Sequence, residues 1–358
     1  MNVLQICAYA APYAGNFITS LIQLDNELEK HGHHTVYAFC DRSQSRQWCK
    51  EFQKKKTVYF LPLSRARVNP KTYSMLRKIL KREHIGIAHS HFGLYDLPLA
   101  MVAPKSCKLF WHLHDPLVKG VSKASDIIAG LQYSHFGKRA VLLSVCDYYK
   151  ETAITFGMEK ENAKTIVNGI NLSRIQYPYL DAPKQFNFLT FGWDFHRKGA
   201  DVIFEALDKL YKDGYQFKLL FNCLESTVDQ VYQYFNQKIP VWLEMGMPVE
   251  DINTLFEKSK VFIQASRSET FSYAVCEAAY AGLDVVSSEI IGMEWAHSVP
   301  SVSFFESENN AQLYTLLKER LDNEHSISKE IINKSRKVIE ENYSTEVWVR
   351  RIISEYGI

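Results

Sequence analysis

No stretch of the 358 residues approaches the ~18 consecutive apolar positions of a membrane-spanning helix, so none is predicted. The opening residues, MNVLQICAYAAPYAG, lack the charged n-region of a secretory signal and read instead as a first core strand. The seven cysteines, at 7, 40, 49, 107, 146, 223 and 276, include no C-x-x-C pair. Odd in number and dispersed among apolar neighbours, they read as reduced core residues of a cytoplasmic protein. No recognised nucleic-acid-binding motif occurs, so nucleic acid is not an expected partner. Overall charge is close to absent as well, at +2.

That near-neutrality hides an asymmetry. From Arg42 to His84 thirteen Lys and Arg face two Glu, a local net of +11 that leaves −9 for the remainder. Within it, MLRKILKRE (Met75 to Glu83) reads as a helix with Leu76, Ile79 and Leu80 on one face and Arg77, Lys78, Lys81 and Arg82 around the other. Such a helix is either a solvated surface element or a docking face for an anionic membrane or lipid phosphate. Each basic residue near such a surface is worth about 1 kcal/mol.

What is present in quantity is the composition of a globular protein, 46% hydrophobic and 23% charged, long enough for two domains. The most informative stretch is Val261 to Ser288, VFIQASRSETFSYAVCEAAYAGLDVVSS. It reads as strand (Val261 to Ser266), polar loop, helix with Ser272 as N-cap and Gly282 as its C′ residue, then strand (Leu283 to Ser288). In a parallel sheet, ligands bind beyond the carboxyl ends of the strands, and a helix N-terminus there suits a phosphate. Glu269 lies in that loop and Glu277 follows eight residues later on the helix. Two carboxylates beside an anion site suit hydroxyl groups on either side of a diphosphate, which is the layout of a nucleotide sugar.

The same stretch resembles the E-x7-E motif of retaining glycosyltransferases built from two Rossmann-like domains (the GT-B architecture), specifically glycosyltransferase family four. Ser266, Glu269, Phe271, Glu277, Ala278, Ala281, Gly282, Val285 and Val286 stand in register with the family pattern; Thr270 and Ser272 replace its usual glycines and Asp284 its proline. The resemblance implies that Glu269 holds donor-sugar hydroxyls and Glu277 the ribose, with Thr270, Phe271 and Ser272 forming the intervening donor loop. It implies an α/β fold of two Rossmann-like parallel-sheet domains facing across a cleft, with a C-terminal helix crossing back onto the first.

Other segments extend the likeness. Gly192, Lys198 and Gly199 match the spacing of the family's G-R-x-x-x-x-K-G, whose Arg and Lys bind the diphosphate; Trp193 stands at the Arg position, and Arg197 is the candidate second cation. Gly15 and Asn16 lie in the loop Ala10 to Asn16, ahead of a helix read from about Phe17, where the family faces the diphosphate. Met245 and Gly246 precede a helix read from Pro248, at the family's nucleotide-base loop. Two His-x-His pairs, His89/His91 and His112/His114, end neighbouring strands. Four such histidines could bind zinc, but no carboxylate or cysteine shares their spacing, and a polar cleft lining is the reading taken. By resemblance His114 contacts donor sugar or acceptor, with His91 and His112 on the acceptor side. The group His31, His33 and His34 is explained by the strand pattern without a metal. No D-x-D occurs, so a metal clamp is not expected and no cofactor is implied.

The expected organisation is an acceptor domain over 1–175, a linker from Ile175 to Gln185 marked by Pro178 and Pro183, a donor domain over 186–340, and a crossover helix over 341–358. The expected activity is metal-independent, retaining transfer of a sugar from a nucleoside diphosphate sugar, with UDP as the expected nucleotide, to a glycan or lipid-linked acceptor hydroxyl. The protein would be cytoplasmic, peripheral at the membrane through 42–84. A nucleotide-sugar epimerase, a nucleotide-sugar-binding protein without turnover and an inverting transferase are the rival readings.

Overall fold

A computed structural model describes residues 1–176, 184–323 and 327–358, and these form two α/β units, Met1–Gly169 with Thr345–Ile358 and Ile170–Ser344. In the first unit seven parallel strands line up in the order β3-β2-β1-β4-β5-β6-β7: Asn2–Cys7 (β1), His34–Cys40 (β2), Val58–Leu61 (β3), Ile85–His91 (β4), Lys108–Leu113 (β5), Ala140–Ser144 (β6) and Ala163–Thr165 (β7). These strands read as near-continuous apolar runs because helices cover both faces of a parallel sheet. Leu4, Ile6, Leu109, Trp111 and Leu142 pack on one face with Leu76, Ile79 and Leu80 of the basic helix Pro70–Arg82. Val3, Cys7, Ile87 and Phe110 pack on the other with Phe17 and Leu21 of the helix Gly15–Lys30.

The second face is completed from far along the chain. Trp348, Ile352 and Tyr356 recur every fourth residue of the helix Thr345–Tyr356, which puts them on one stripe, and that stripe is buried in the first unit's core. All seven cysteines are buried and none forms a disulfide. Among the described residues no helix is long and apolar enough to cross a membrane.

The second unit is a six-stranded parallel sheet in the order β10-β9-β8-β11-β12-β13: Phe186–Phe191 (β8), Leu219–Asn222 (β9), Leu243–Gly246 (β10), Ser259–Gln264 (β11), Asp284–Glu289 (β12) and Val302–Glu306 (β13). Strand β11 starts and ends two residues earlier than the apolar run suggests, because pairing with β12 stops at Gln264 and the chain then turns into its loop. The helix expected from Pro248 begins only at Asn253 and runs to Phe256; Asp251 Oδ1 accepts from the Asn253 amide (3.0 Å) and holds the preceding residues in a turn. The division between units also falls earlier than 175. Ile170 N donates to Tyr343 O (2.8 Å), and Asn253 bonds both Arg174 O and Gln176 N (2.8 Å each), so this segment belongs to the second unit. Most of the proline-marked linker, 177–183, lies outside the described residues.

Two glycines set how closely loops pack on the second sheet. A Cβ on Gly192 would sit 1.9 Å from the Phe221 ring. Gly199 has φ +67 and a Cβ there would lie 2.0 Å from Ala265 O, a backbone atom that cannot swing aside. Gly199→Ala is therefore expected to cost about 2–4 kcal/mol from clash and left-handed strain together. A lowered urea midpoint for the transition of the second unit checks it.

The first unit holds a buried acid at the start of the helix Asp96–Val102. Asp96 is 2% exposed and accepts from Ser90 Oγ (2.5 Å); burial pushes its carboxyl up to about 7, opposed by that bond and by Arg67. The folded state thus binds this proton more tightly than the unfolded chain does, whose carboxyl titrates at about 4. Its contribution to stability falls as pH rises from about 4 to about 7 and is level above that. In Asp96→Asn that decline should vanish, so the stability difference between variant and wild type shifts in the variant's favour from pH 5 to pH 8 in urea titrations.

Candidate active site

At the carboxyl ends of β8 and β11 two loops meet. Gly199 lets the loop after β8 lie against Ala265, and Arg267 N donates to Arg197 O (2.8 Å). The Arg267 side chain then fastens both loops. It donates to His196 O (2.5 Å), grips the Asp201 carboxylate with two nitrogens (2.9 and 2.8 Å) and reaches Glu308 (2.8 Å). Burial works to raise the Asp201 carboxyl, but Arg267 outweighs it and holds the group below the usual range.

This clamp delivers three charged groups to one point. Lys198 Nζ lies 2.5 Å from Glu269 Oε1, Ser266 Oγ donates to the same oxygen (2.9 Å), and Arg197 Nη1 stands 3.8 Å away. Lys198 and Glu269 are largely covered, with side chains 16% and 12% exposed, whereas Arg197 is 45% exposed. Two cations on one carboxylate, at the mouth of a parallel sheet, form a site that can exchange an internal ion pair for an anionic ligand.

The loop that carries Glu269 is braced from behind. Gly292, at φ +88, approaches so closely that a Cβ would stand 2.6 Å from Glu269 O and 2.8 Å from Thr270 Cα. Trp295 Nε1 donates to Phe271 O (2.6 Å), and the two rings stack at 4.7 Å. Ser272 adopts φ 58, the left-handed conformation for which glycine is the natural residue. Its hydroxyl donates to Gln264 Oε1 and accepts from Val275 N (3.5 Å), so the serine at this position also caps the helix Tyr273–Ala281. That helix ends in Gly282 at φ 93, as expected. Glu277, 5% exposed, faces Arg174 Nη1 at 3.3 Å.

Met245 and Gly246 close β10 at the same edge of the sheet, where Asn222 Nδ2 donates to Met247 O (2.6 Å). Gly192 lies at the exit of β8 with its amide on Asn222 O (2.9 Å). The second unit thus brings Gly192, Arg197, Lys198, Met245, Gly246, Glu269, Thr270, Phe271, Ser272 and Glu277 to the strand-end side of one sheet.

In the first unit Gly15 takes φ +58 at the start of its helix and Asn16 is buried beside it. The four strand-end histidines form a column of imidazoles. Adjacent rings sit 4.1 to 5.5 Å apart and within 29° of parallel: His89 on His91, His91 on His112 and His114, and His112 on His114. Burial holds all four well below the ordinary imidazole range, His114 at about 3, so they are neutral. His91 and His112 are 0% exposed. The expectation that they touch an acceptor is corrected: neither offers it an atom, and only His114, at 6%, reaches the edge of the column. Nitrogens of His89, His91 and His112 come within 4.8 Å of one another. A lone pair lies in its ring plane, so near-parallel rings aim theirs side by side, and convergence on one ion would need the rings to turn.

Sequence patterns did not point to Arg174, Arg267 or Trp295. Arg174 and Arg267 carry no motif spacing, and their roles exist only once distant segments meet. Trp295 follows the strand-end glycine Gly292 by three residues, and that turn residue is the local signal its segment offers.

Comparison with known proteins follows the same division. Residues 19–174 match the family model Glycosyltransferase Family 4, and residues 178–342 match Glycosyl transferases group 1. One subunit of the human phosphatidylinositol N-acetylglucosaminyltransferase is 20% identical over 315 residues, which is 82% of this chain; the chain spans 63% of that protein's length. The structure resembles a glycosyltransferase from Rickettsia africae ESF-5 (TM-score 0.79, 18% identity, 99% of this chain and 97% of the other). It also resembles Anabaena Alr3699/HepE in complex with UDP (TM-score 0.79, 14% identity, 100% of each chain).

Proposed function

Since the chain belongs to the group 1 glycosyltransferases of family 4, we propose that it transfers a sugar from a UDP-sugar to an acceptor hydroxyl with retention at the anomeric carbon. The observation that carries this reading is the Lys198–Glu269–Arg197 cluster beside the N-terminus of the helix bearing Glu277. On donor binding the diphosphate takes Lys198 and Arg197, and the sugar hydroxyls take Glu269. Glu277 accepts from the ribose, and Arg174 gives up part of its contact to allow this. Gly15, Asn16 and Gly192 let backbone approach the diphosphate, and Met245 and Gly246 border the base. The UDP-bound state of Anabaena HepE supports the choice of nucleotide.

Chemistry follows from these roles. The bond from the anomeric carbon to the diphosphate oxygen breaks, and Lys198, Arg197 and the helix N-terminus stabilise the charge that develops on that oxygen. The acceptor hydroxyl adds from the same face and its proton passes to the departing phosphate. No side chain is assigned a covalent role. His114 contacts the sugar or the acceptor.

A glycan or lipid-linked acceptor is favoured by the basic segment. Beside the helix Pro70–Arg82 lies a cavity of about 630 Å³ with Tyr59, Met75 and Ile79 in its wall and Lys78, Lys81, Arg82 and His84 also lining it. Apolar walls among cations suit an anionic lipid.

UDP and UDP-glucose at millimolar concentration are expected to raise the melting temperature of the wild type and leave Glu277→Ala unmoved; no shift in the wild type would overturn the donor assignment. Lys198→Ala should keep its fold and lose about 10²–10³ in kcat with a matched acceptor. A nucleotide shift without any turnover across acceptors would instead favour a binding protein. The triple variant Lys78→Glu, Lys81→Glu, Arg82→Glu should cosediment less with vesicles containing anionic lipid, while weak binding to zwitterionic vesicles stays the same.

A further inference from the structure

One hydrogen-bonded chain runs from the helix Thr345–Tyr356 through the first unit's core to His114. Tyr356 Oη lies 2.6 Å from His89 Nδ1 and 3.0 Å from Gln5 Nε2. Gln5 Oε1 lies 2.9 Å from His91 Nε2, and His91 Nδ1 lies 3.0 Å from His114 Nε2. Gln5 is 1% exposed, Tyr356, His89 and His91 are 0%, and His114 is 6%. His89, His91 and His114 are not protonated at neutral pH, because burial suppresses their charge. Each therefore carries one N–H and one lone pair, and each bond forces the next.

We propose that Gln5, aimed by Tyr356, fixes through His91 which nitrogen of His114 carries the proton. His114 is held as the Nε2–H tautomer, with the Nδ1 lone pair left to accept from a ligand hydroxyl. The direction follows from the Gln5 amide. Its Nε2 donates to Tyr356 Oη (3.0 Å) and its Oε1 faces His91 Nε2 (2.9 Å). The phenol, accepting from Gln5, gives its own proton to His89 Nδ1 (2.6 Å). With Oε1 as the acceptor, His91 Nε2 is the N–H and His91 Nδ1 the acceptor. The remaining bond can be made only by His114 Nε2–H. Gln5, His91 and Tyr356 are positioning residues; they act on a ligand only through His114. The consequence for chemistry rests on the reading that His114 contacts the donor sugar or acceptor. A lone pair there selects a hydroxyl that donates, and rejects a group that can only accept.

The test is nitrogen NMR on the full chain labelled with ¹⁵N-histidine, with His114→Gln to assign the His114 signals. The wild type should show His114 with a pyrrole-type Nε2 and a pyridine-type Nδ1. Tyr356→Phe frees the Gln5 amide to turn and Gln5→Leu removes it. In both, His114 should become a mixture of tautomers or switch to Nδ1–H. Wild-type His114 found as Nδ1–H would overturn the proposal. So would a pure Nε2–H signal persisting in both variants while their melting curves show them folded. Both variants should keep the UDP-induced melting shift that Glu277→Ala loses, so failure of the relay and failure of the donor assignment give different results.

Discussion

Gly199 has no side chain because the carbonyl of Ala265 occupies the space, and much of the second unit's candidate site depends on that contact. With a Cβ at that position the loop after β8 could not lie against the end of β11. The bond from Arg267 N to Arg197 O would not close, and Lys198 would not meet Glu269. A single steric allowance thus converts two separate strand ends into one charged site. Arg267 then makes the arrangement stiff by spending its guanidinium on Asp201, Glu308 and a backbone carbonyl, which leaves Lys198 and Arg197 as the cations that a ligand can recruit.

Stiffness and availability are divided between residue types in the same way elsewhere. Glu269 rests on Ser266 and is backed by Gly292, so its carboxylate is placed before any ligand arrives. Preorganisation of this kind lowers the ordering cost of binding. In the first unit the imidazole column does comparable work with neutral groups. Charged side chains could not be kept this deep without partners, whereas neutral imidazoles stack on one another and pass hydrogen bonds along their edges.

The parallel-sheet architecture was legible in the sequence because period and punctuation carry it: apolar runs of strand length and Gly282 after an alanine-rich helix. Lys198, Glu269 and Glu277 were legible because motif spacing on a strand–loop–helix unit survives without any knowledge of distant contacts. Arg174 and Arg267 were not, since each acquires its partner from a segment far away or across a turn. His91 and His112 were placed on the right strand faces but at the wrong depth. Alternation says which face a side chain takes, and it does not say that the helices Gly15–Lys30 and Thr345–Tyr356 cover that face. The strand ends were read one or two residues off for the same reason, because pairing stops where the neighbouring strand stops.

The two units differ in how they are cut from the chain. The second, Ile170–Ser344, is one continuous segment, while the first needs Thr345–Ile358 to finish its core. During vectorial synthesis the earlier-made part of the first unit must wait, with the sheet face around Val3, Ile87 and Phe110 lacking Trp348, Ile352 and Tyr356, until the whole second unit has emerged. The later-made unit can therefore complete itself first, and the N-terminal unit closes only after Thr345–Ile358 has been made.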